Sequence, residues 1–261
     1  YYTLETADGK FMANVCQGSR KDFREAVVAA RGAFKGWAGR SAFNRSQILY
    51  RIAEMLEGRK ALFVEELMAL GVSKADAEKE VLASVDRLVY YAGWADKYQQ
   101  IFSSVNPVAS SHFNFSVLEP MGVVSIFAPE KNGLLGLISA IAPVITGGNS
   151  CVVLASYSQP VSAISFAEVL KSSDVPGGVV NILTGSRSEL INYFSQHMDV
   201  NAMMYCGNDA ADIKTIQTNA TVNVKRPIII ENEDWFADDA QSPYFIANAQ
   251  ETKTTWHPVG I

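Results

Sequence analysis

Residues 119–155, EPMGVVSIFAPEKNGLLGLISAIAPVITGGNSCVVLA, decide the fold. Met121 to Ala128 is a nearly unbroken apolar run of strand length, stopped by Pro129. Residues 134–146 form an apolar run of helix length, Gly147-Gly148-Asn149 is turn chemistry, and 150–155 is a second apolar strand. A strand that is apolar at every position has both faces covered, so the unit reads as strand, helix and parallel strand.

The same alternation continues outward. Strands are expected at 179–183, 200–205 and 227–231, with helices at 160–172, 187–196 and 208–218 between them. Five such strands separated by helices predict an open parallel sheet in an α/β fold. Ligands of these sheets bind beyond the carboxyl ends of the strands, which makes Pro129, Ser156, Thr184, Cys206 and Asn232 the residues expected to border a pocket.

Upstream, DGKFMANV reads as a turn and an alternating strand, after which the pattern is helical. Ser19 with Asp22 three residues on forms a helix start, and Phe23, Val27, Ala30 and Phe34 follow on one face. A second helix from Asn44 carries Ile48, Leu49, Ile52, Ala53 and Leu56. A long third helix from Lys74 carries Val81, Leu82, Val85, Leu88, Val89 and Ala92, with Pro107 as its far limit.

The 261 residues are 48% hydrophobic and 19% charged, an ordinary globular composition with a formal charge of -5. No clustered basic face is present to neutralise phosphates, so a nucleic-acid partner is not expected. No apolar run is long enough to span a bilayer, so no membrane is expected either. Cys16, Cys151 and Cys206 are widely spaced, which favours a reducing compartment, the cytoplasm, over a disulfide or zinc framework. Glu231, Glu233, Asp234, Asp238 and Asp239 read as a solvated acidic loop, not a metal site. The histidines His112, His197 and His257 are scattered and read as structural or exposed. A chain opening on Tyr1-Tyr2 reads as part of a longer polypeptide.

These motifs resemble the aldehyde dehydrogenase superfamily. The resemblance runs through AVVAARGAFKGWAGRSAFNRSQILYRIAEMLEGRKALF, the P-x-G-V-V strand at Pro120, Gly148-Asn149, and a closing Glu251-Thr252-Lys253-Thr254-Thr255-Trp256. It implies a Rossmann-like nucleotide-binding domain over 1–111 and 119–235. A β-flap oligomerisation element is implied over 112–118 with 250–261, joined by a loop at 236–249. The flap's interface residues would be Phe113, Phe115, Val117, Thr252, Thr254 and Trp256.

The family's reactive letters are altered. The oxyanion-stabilising Asn falls on Lys131, beside Glu130, and this pair reads as exposed charge on a loop. The ribose-binding Lys and Glu fall on Leu154 and Tyr157. Leu154 has no donor; Tyr157 offers one hydroxyl or a ring face. The pyrophosphate turn reads Tyr205-Cys206-Gly207-Asn208, where Asn208 is a candidate N-cap and the helix start a candidate anion site. The general base falls on Thr221, which cannot take a proton near neutral pH. Cys206 reads as a buried structural thiol. After Glu231 no segment resembles the family's thiol-bearing catalytic domain.

The expectation from these substitutions is a noncatalytic domain, similar to the second segment of tandem family-sixteen aldehyde dehydrogenases. It would act as a structural and oligomerisation partner of a complete aldehyde dehydrogenase domain in cis or trans, and as a homo-oligomer through the flap. No cofactor and no metal are expected for the chain itself, with NAD confined to the associated domain. Alternatives are a nucleotide-binding regulatory module using Tyr157 and Asn208, and an independent oxidoreductase using Lys131 or Cys206.

Overall fold

The structure, a computed structural model, describes residues 1–231 and 234–260. Expectations that fall on Asn232 and Glu233 lie outside the described residues. The chain opens with strands β1 (Tyr2–Glu5) and β2 (Phe11–Val15), an antiparallel hairpin. Helices α1 (Arg20–Ala38), α2 (Ala42–Glu57), α3 (Lys60–Ala69), α4 (Lys74–Trp94) and α5 (Tyr98–Phe102) follow. Ser19 and Asp22 close a capping box on α1, with the Ser19 amide donating to Asp22 Oδ2 at 2.8 Å.

After β3 (Ser104–Asn106) and β4 (His112–Pro120), the alternating part begins with β5 (Val123–Phe127), α6 (Gly133–Thr146), β6 (Ser150–Leu154) and α7 (Val161–Lys171). It continues through β7 (Val180–Leu183), α8 (Arg187–Gln196), β8 (Ala202–Cys206), α9 (Ala210–Ala220) and β9 (Arg226–Ile230). A short 3-10 turn at Asp238–Ala240, α10 (Pro243–Asn248) and β10 (Gln250–Pro258) complete the chain.

Five parallel strands form one sheet in the order β7-β6-β5-β8-β9. Its side chains alternate between two cores, as the period-2 pleat demands. From β5, Val124 and Ile126 enter the core built with α2, α4, α6 and α7, while Val123 and Phe127 pack with Phe23, Val27 and Phe194 from α1 and α8. Ser125 lies on the second face, and its hydroxyl donates to Phe194 O at 3.1 Å, so the buried polar group is satisfied.

Every residue of α6 is buried, between the sheet and α4. That explains why its sequence is apolar all round, not amphipathic. The turn after α6 uses Gly148 at φ +89, a left-handed conformation that suits glycine. It aims the buried Asn149 side chain at two backbone partners. Asn149 Oδ1 accepts from Gly122 N at 3.0 Å, and Nδ2 donates to Ala249 O at 2.7 Å, tying the starts of β5 and β6 to the segment that leads into β10.

The helical half departs from the pattern, first by a separate helix α3 between the second and third expected helices. The third predicted helix stops at Trp94, far short of Pro107, because the chain turns to bury Tyr98 and then pairs Ser104–Asn106 with β4. Leu82 and Val89 of α4 are exposed, whereas Glu80, Ser84 and Arg87 are buried. Polar residues displace apolar ones there because Glu80 meets the first-turn amides of α6 and Arg87 meets the carbonyls of Trp235 and Ala240, while Ser84 donates to Glu80 O within α4. Strands β4 and β10 pair antiparallel along their whole length, from Gln250 opposite Pro120 to Pro258 opposite His112.

Candidate functional site at the carboxyl edge of the sheet

The strand order reverses between β5 and β8: the chain runs outward through β6 and β7, then returns to the other side of β5. At such a switch point the loops leaving the two strands diverge and open a crevice. A cleft of about 240 Å³ lies there, bordered by Pro129, Glu130 and Lys131 after β5, by Cys206 at the end of β8 and by Gly207 and Asn208 after it. Arg187, the first residue of α8, and Trp235 close its sides.

The charge pair in this cleft is not the neighbouring one. Glu130 pairs with Arg187, with Nε to Oε1 at 3.2 Å, while Lys131 stands exposed at the rim. The reading of Glu130 and Lys131 as a local surface pair is therefore corrected. Glu130 Oε2 accepts from Ser156 Oγ at 3.0 Å and from the Tyr157 amide at 2.9 Å, so one carboxylate ties the loop after β5 to the loop after β6. The Arg187 guanidinium lies over two rings, 5.9 Å from the Phe127 centroid and 5.6 Å from that of Tyr205, and Nη2 donates to Ala128 O. Burial, reinforced by the hydrogen bond to Asp212 Oδ2 at 2.9 Å, pushes the Tyr205 hydroxyl up to about 12.

The positions altered from the family pattern separate in space. Leu154 is buried in the core shared with Phe127 and Phe194. Tyr157 is half exposed and stacks on Tyr2, with centroids 4.2 Å apart and planes at 14°. Tyr2 Oη donates to Tyr157 O at 3.1 Å, and burial first, then Tyr157, pushes the Tyr2 hydroxyl up to about 12. Thr221 caps the far end of α9, its hydroxyl donating to Thr218 O at 2.7 Å, away from the cleft.

Asn208 borders the cleft but is not the N-cap of α9. Asp209 is, accepting from Ala211 N and Asp212 N at 2.9 Å each. A carboxylate already occupies that helix start, so its amides are a poor anion site. Cys206 also borders the cleft, and burial pushes its thiol up to about 12. Thr184 donates to Cys16 O at 2.7 Å, and Ser156 is engaged with Glu130, so neither offers a free nucleophile. Among the described residues no group of His, Cys, Asp and Glu gathers at metal-holding range.

The flap positions share one sheet. Phe113 faces His257, Phe115 faces Thr255, and Val117 faces Lys253, while Thr254 bonds Ser116 through their hydroxyls at 2.8 Å. Phe113 and Trp256 are exposed, as are Thr252 and Thr254.

Two residues escaped the sequence reading, Arg187 in the cleft and Glu80 beneath the start of α6. Arg187 carried a signal, since a cation in the first turn of a helix runs against the helix dipole and needs a compensating partner. Glu80 carried none. Its carboxylate is 1% exposed and accepts from Leu134 N at 3.1 Å, Leu135 N at 3.2 Å and Asn132 Nδ2 at 3.4 Å, capping α6 from α4. Burial pushes this carboxyl up despite those donors.

A parallel sheet wound on both faces, with its cleft at the strand reversal, defines a doubly wound α/β domain, the class whose ligands bind at that position. Residues 1–231 match the aldehyde dehydrogenase family, and the chain belongs to that family. It is 30% identical over 233 residues to omega-crystallin of Enteroctopus dofleini, covering 87% of this chain and 46% of that protein. It is also 30% identical over 231 residues to the cytosolic 10-formyltetrahydrofolate dehydrogenase of Pongo abelii, covering 87% of this chain and 26% of that one. The NAD+ complex of an aldehyde dehydrogenase from Bacillus cereus superposes with a TM-score of 0.82 at 25% identity, over 88% of this chain and 47% of that one. The chain thus spans less than half the length of the relatives it matches.

These likenesses overturn part of the expectation. The five-stranded sheet, its flanking helices and the helical N-terminal part agree. The placement beside a noncatalytic tandem segment does not: the relatives include named dehydrogenases, and the superposed Bacillus cereus chain is an aldehyde dehydrogenase. The reading of a pseudoenzyme fold without catalytic machinery, serving a catalytic partner domain, is withdrawn on that ground. So is the confinement of NAD to an associated domain, because this fold is the one found in an NAD+ complex. No helix among the described residues is long and apolar enough to cross a membrane.

Proposed function

We propose that this chain supplies the dinucleotide-binding part of an NAD-linked dehydrogenase acting on aldehydes, with the dinucleotide seated in the cleft between β5 and β8. The observation that carries this reading is the position of the cleft at the strand reversal. Family membership and the 25% identical NAD+ complex support it.

The residues fit the phosphate end of such a ligand better than the ribose end. Arg187 and Lys131 supply positive charge at the cleft, and Gly207 keeps the turn after β8 free of a side chain. Leu154, by contrast, cannot hydrogen-bond a ribose, so affinity would rest on the phosphates and on ring contacts. Bound NAD would accept a hydride from the substrate. Trp235, 2% exposed, would help exclude water from the cleft. Cys206 takes no nucleophilic role, because a thiol at about 12 is protonated near neutral pH. The cytoplasm is the proposed location, supported by three free cysteines.

Calorimetric titration with NAD+ and with ADP tests the reading. Saturable heat with both is expected, and no heat from either at millimolar ligand would refute it. Aldehyde-dependent formation of reduced nicotinamide by the protein tests the reaction itself.

A further inference from the structure

The cleft contains a cation whose present partner is a carboxylate of the same chain. Arg187 is held on three sides: rings of Phe127 and Tyr205 flank it, and Ala128 O takes a hydrogen from Nη2. A guanidinium fixed in this way loses little entropy when it binds an anion. Among the described residues its Nη1 meets no hydrogen-bond acceptor, and Nε meets only Glu130. The Arg187 side chain is 19% exposed and that of Glu130 is 39% exposed, so the carboxylate is the outer member of the pair, the one nearer solvent.

We propose that Arg187 is the anion anchor of the cleft and that Glu130 occupies it in the ligand-free chain. A diphosphate-bearing ligand then binds by exchanging places with the Glu130 carboxylate. The inference rests on the dinucleotide reading for the identity of the ligand, but the exchange itself concerns any diphosphate.

Three features favour exchange over a purely structural pair. First, the pair spans the rim of the cleft, where the Arg187–Glu130 contact, being partly exposed, itself contributes little. Second, the alternative anion site at the start of α9 is already filled by Asp209, which leaves Arg187 and Lys131 as the positive charge in the cleft among its described lining residues. Third, Glu130 also holds the Ser156 hydroxyl and the Tyr157 amide. Its departure therefore loosens the loop after β6, on which Tyr157 stacks against Tyr2. Ligand binding is coupled to the order of that loop by the same carboxylate.

The experiment compares wild type, Glu130→Gln and Arg187→Met in titrations with inorganic pyrophosphate, ADP and NAD+. Hydrogen exchange at residues 156–159 is followed in parallel. Glu130→Gln keeps an acceptor for Ser156 and Tyr157 but removes the competing charge, so all three probes should bind about fivefold more tightly. Arg187→Met should weaken pyrophosphate about tenfold or more and flatten its salt dependence. Should Arg187→Met fail to fold, Arg187→Lys keeps the charge without the fork and should show an intermediate loss. In wild type, saturation with ADP should speed exchange at the Tyr157 amide.

Unchanged or weaker binding in Glu130→Gln overturns the exchange, as does slower exchange at Tyr157 with ligand bound. NAD+ binding that ignores both substitutions overturns it while leaving the dinucleotide reading intact. Pyrophosphate binding that follows the expected pattern, with no binding of NAD+, upholds the anchor and removes the dinucleotide reading. Absence of binding by wild type and Glu130→Gln alike overturns both.

Discussion

Replacing Glu80 by alanine should destabilise the protein by about 2–4 kcal/mol. The carboxylate, 1% exposed, satisfies the amides of Leu134 and Leu135 at 3.1 and 3.2 Å. Each donor left buried and unpaired costs about 1–3 kcal/mol, which gives roughly 2–6 kcal/mol for the two. Part of this is offset, since burial raises the Glu80 carboxyl above its usual 4.5, so the charge itself is a burden on the fold. Glu80→Gln keeps an acceptor oxygen and sheds the charge, and should cost about 1 kcal/mol or less.

Urea denaturation followed by far-ultraviolet circular dichroism and tryptophan fluorescence, with Trp37 and Trp235 buried in the fold, measures both variants, provided the slope m is unchanged. The pH dependence has a definite sign. A carboxyl raised in the folded state contributes stability that is fully present below its unfolded value and is lost as pH rises through the folded value. Glu80→Gln should remove that decline. The reasoning is refuted if Glu80→Ala lies within about 0.5 kcal/mol of wild type, a surface-like effect, or if Glu80→Gln is as damaging as Glu80→Ala.

Two further outcomes follow from buried groups. Lys225 is 4% exposed and donates to His197 O at 2.6 Å and Val200 O at 3.0 Å, while burial lowers its ammonium from 10.5 to about 8. Between these values the unfolded chain binds more protons, so stability should rise with pH there, by up to about 1.4 kcal/mol per pH unit. Subtracting the profile of Lys225→Met isolates this rise, and parallel profiles would contradict it. Of the three thiols, Cys16 is exposed, whereas burial pushes Cys151 and Cys206 up to about 12. One thiol should react rapidly with a disulfide-exchange reagent in the native protein and three in urea; native reactivity of Cys206 would show that the cleft opens to it.

The placement of Arg187 illustrates how a local pattern and a tertiary partner divide the information. Helix α8 falls at 187–196 as the alternation predicts, because a short polar turn, an amphipathic run and an apolar strand on either side leave few alternatives. The same letters cannot say which carboxylate meets the guanidinium. Glu130 and Lys131 are adjacent in the chain, and adjacency suggests a pair. The loop after β5 instead points Glu130 across the strand ends to a residue on α8. The acidic N-cap shows the same limit on a smaller scale: Asn208 and Asp209 both have capping side chains, and one residue of helix phase decides in favour of Asp209.

By itself the sequence determined the strands and helices of the alternating part, the two-sided burial of the sheet and the single buried face of α2. These are properties of periodicity and residue type, which are local. Only the tertiary structure decided that Glu130 pairs with Arg187, that Glu80 reaches from α4 to cap α6, that Tyr2 covers Tyr157, and that Lys225 is enclosed by carbonyls. Each of these joins residues far apart in the chain. Long-range polar partners are set by where strand ends and helix starts converge after packing, and that convergence has no period to read.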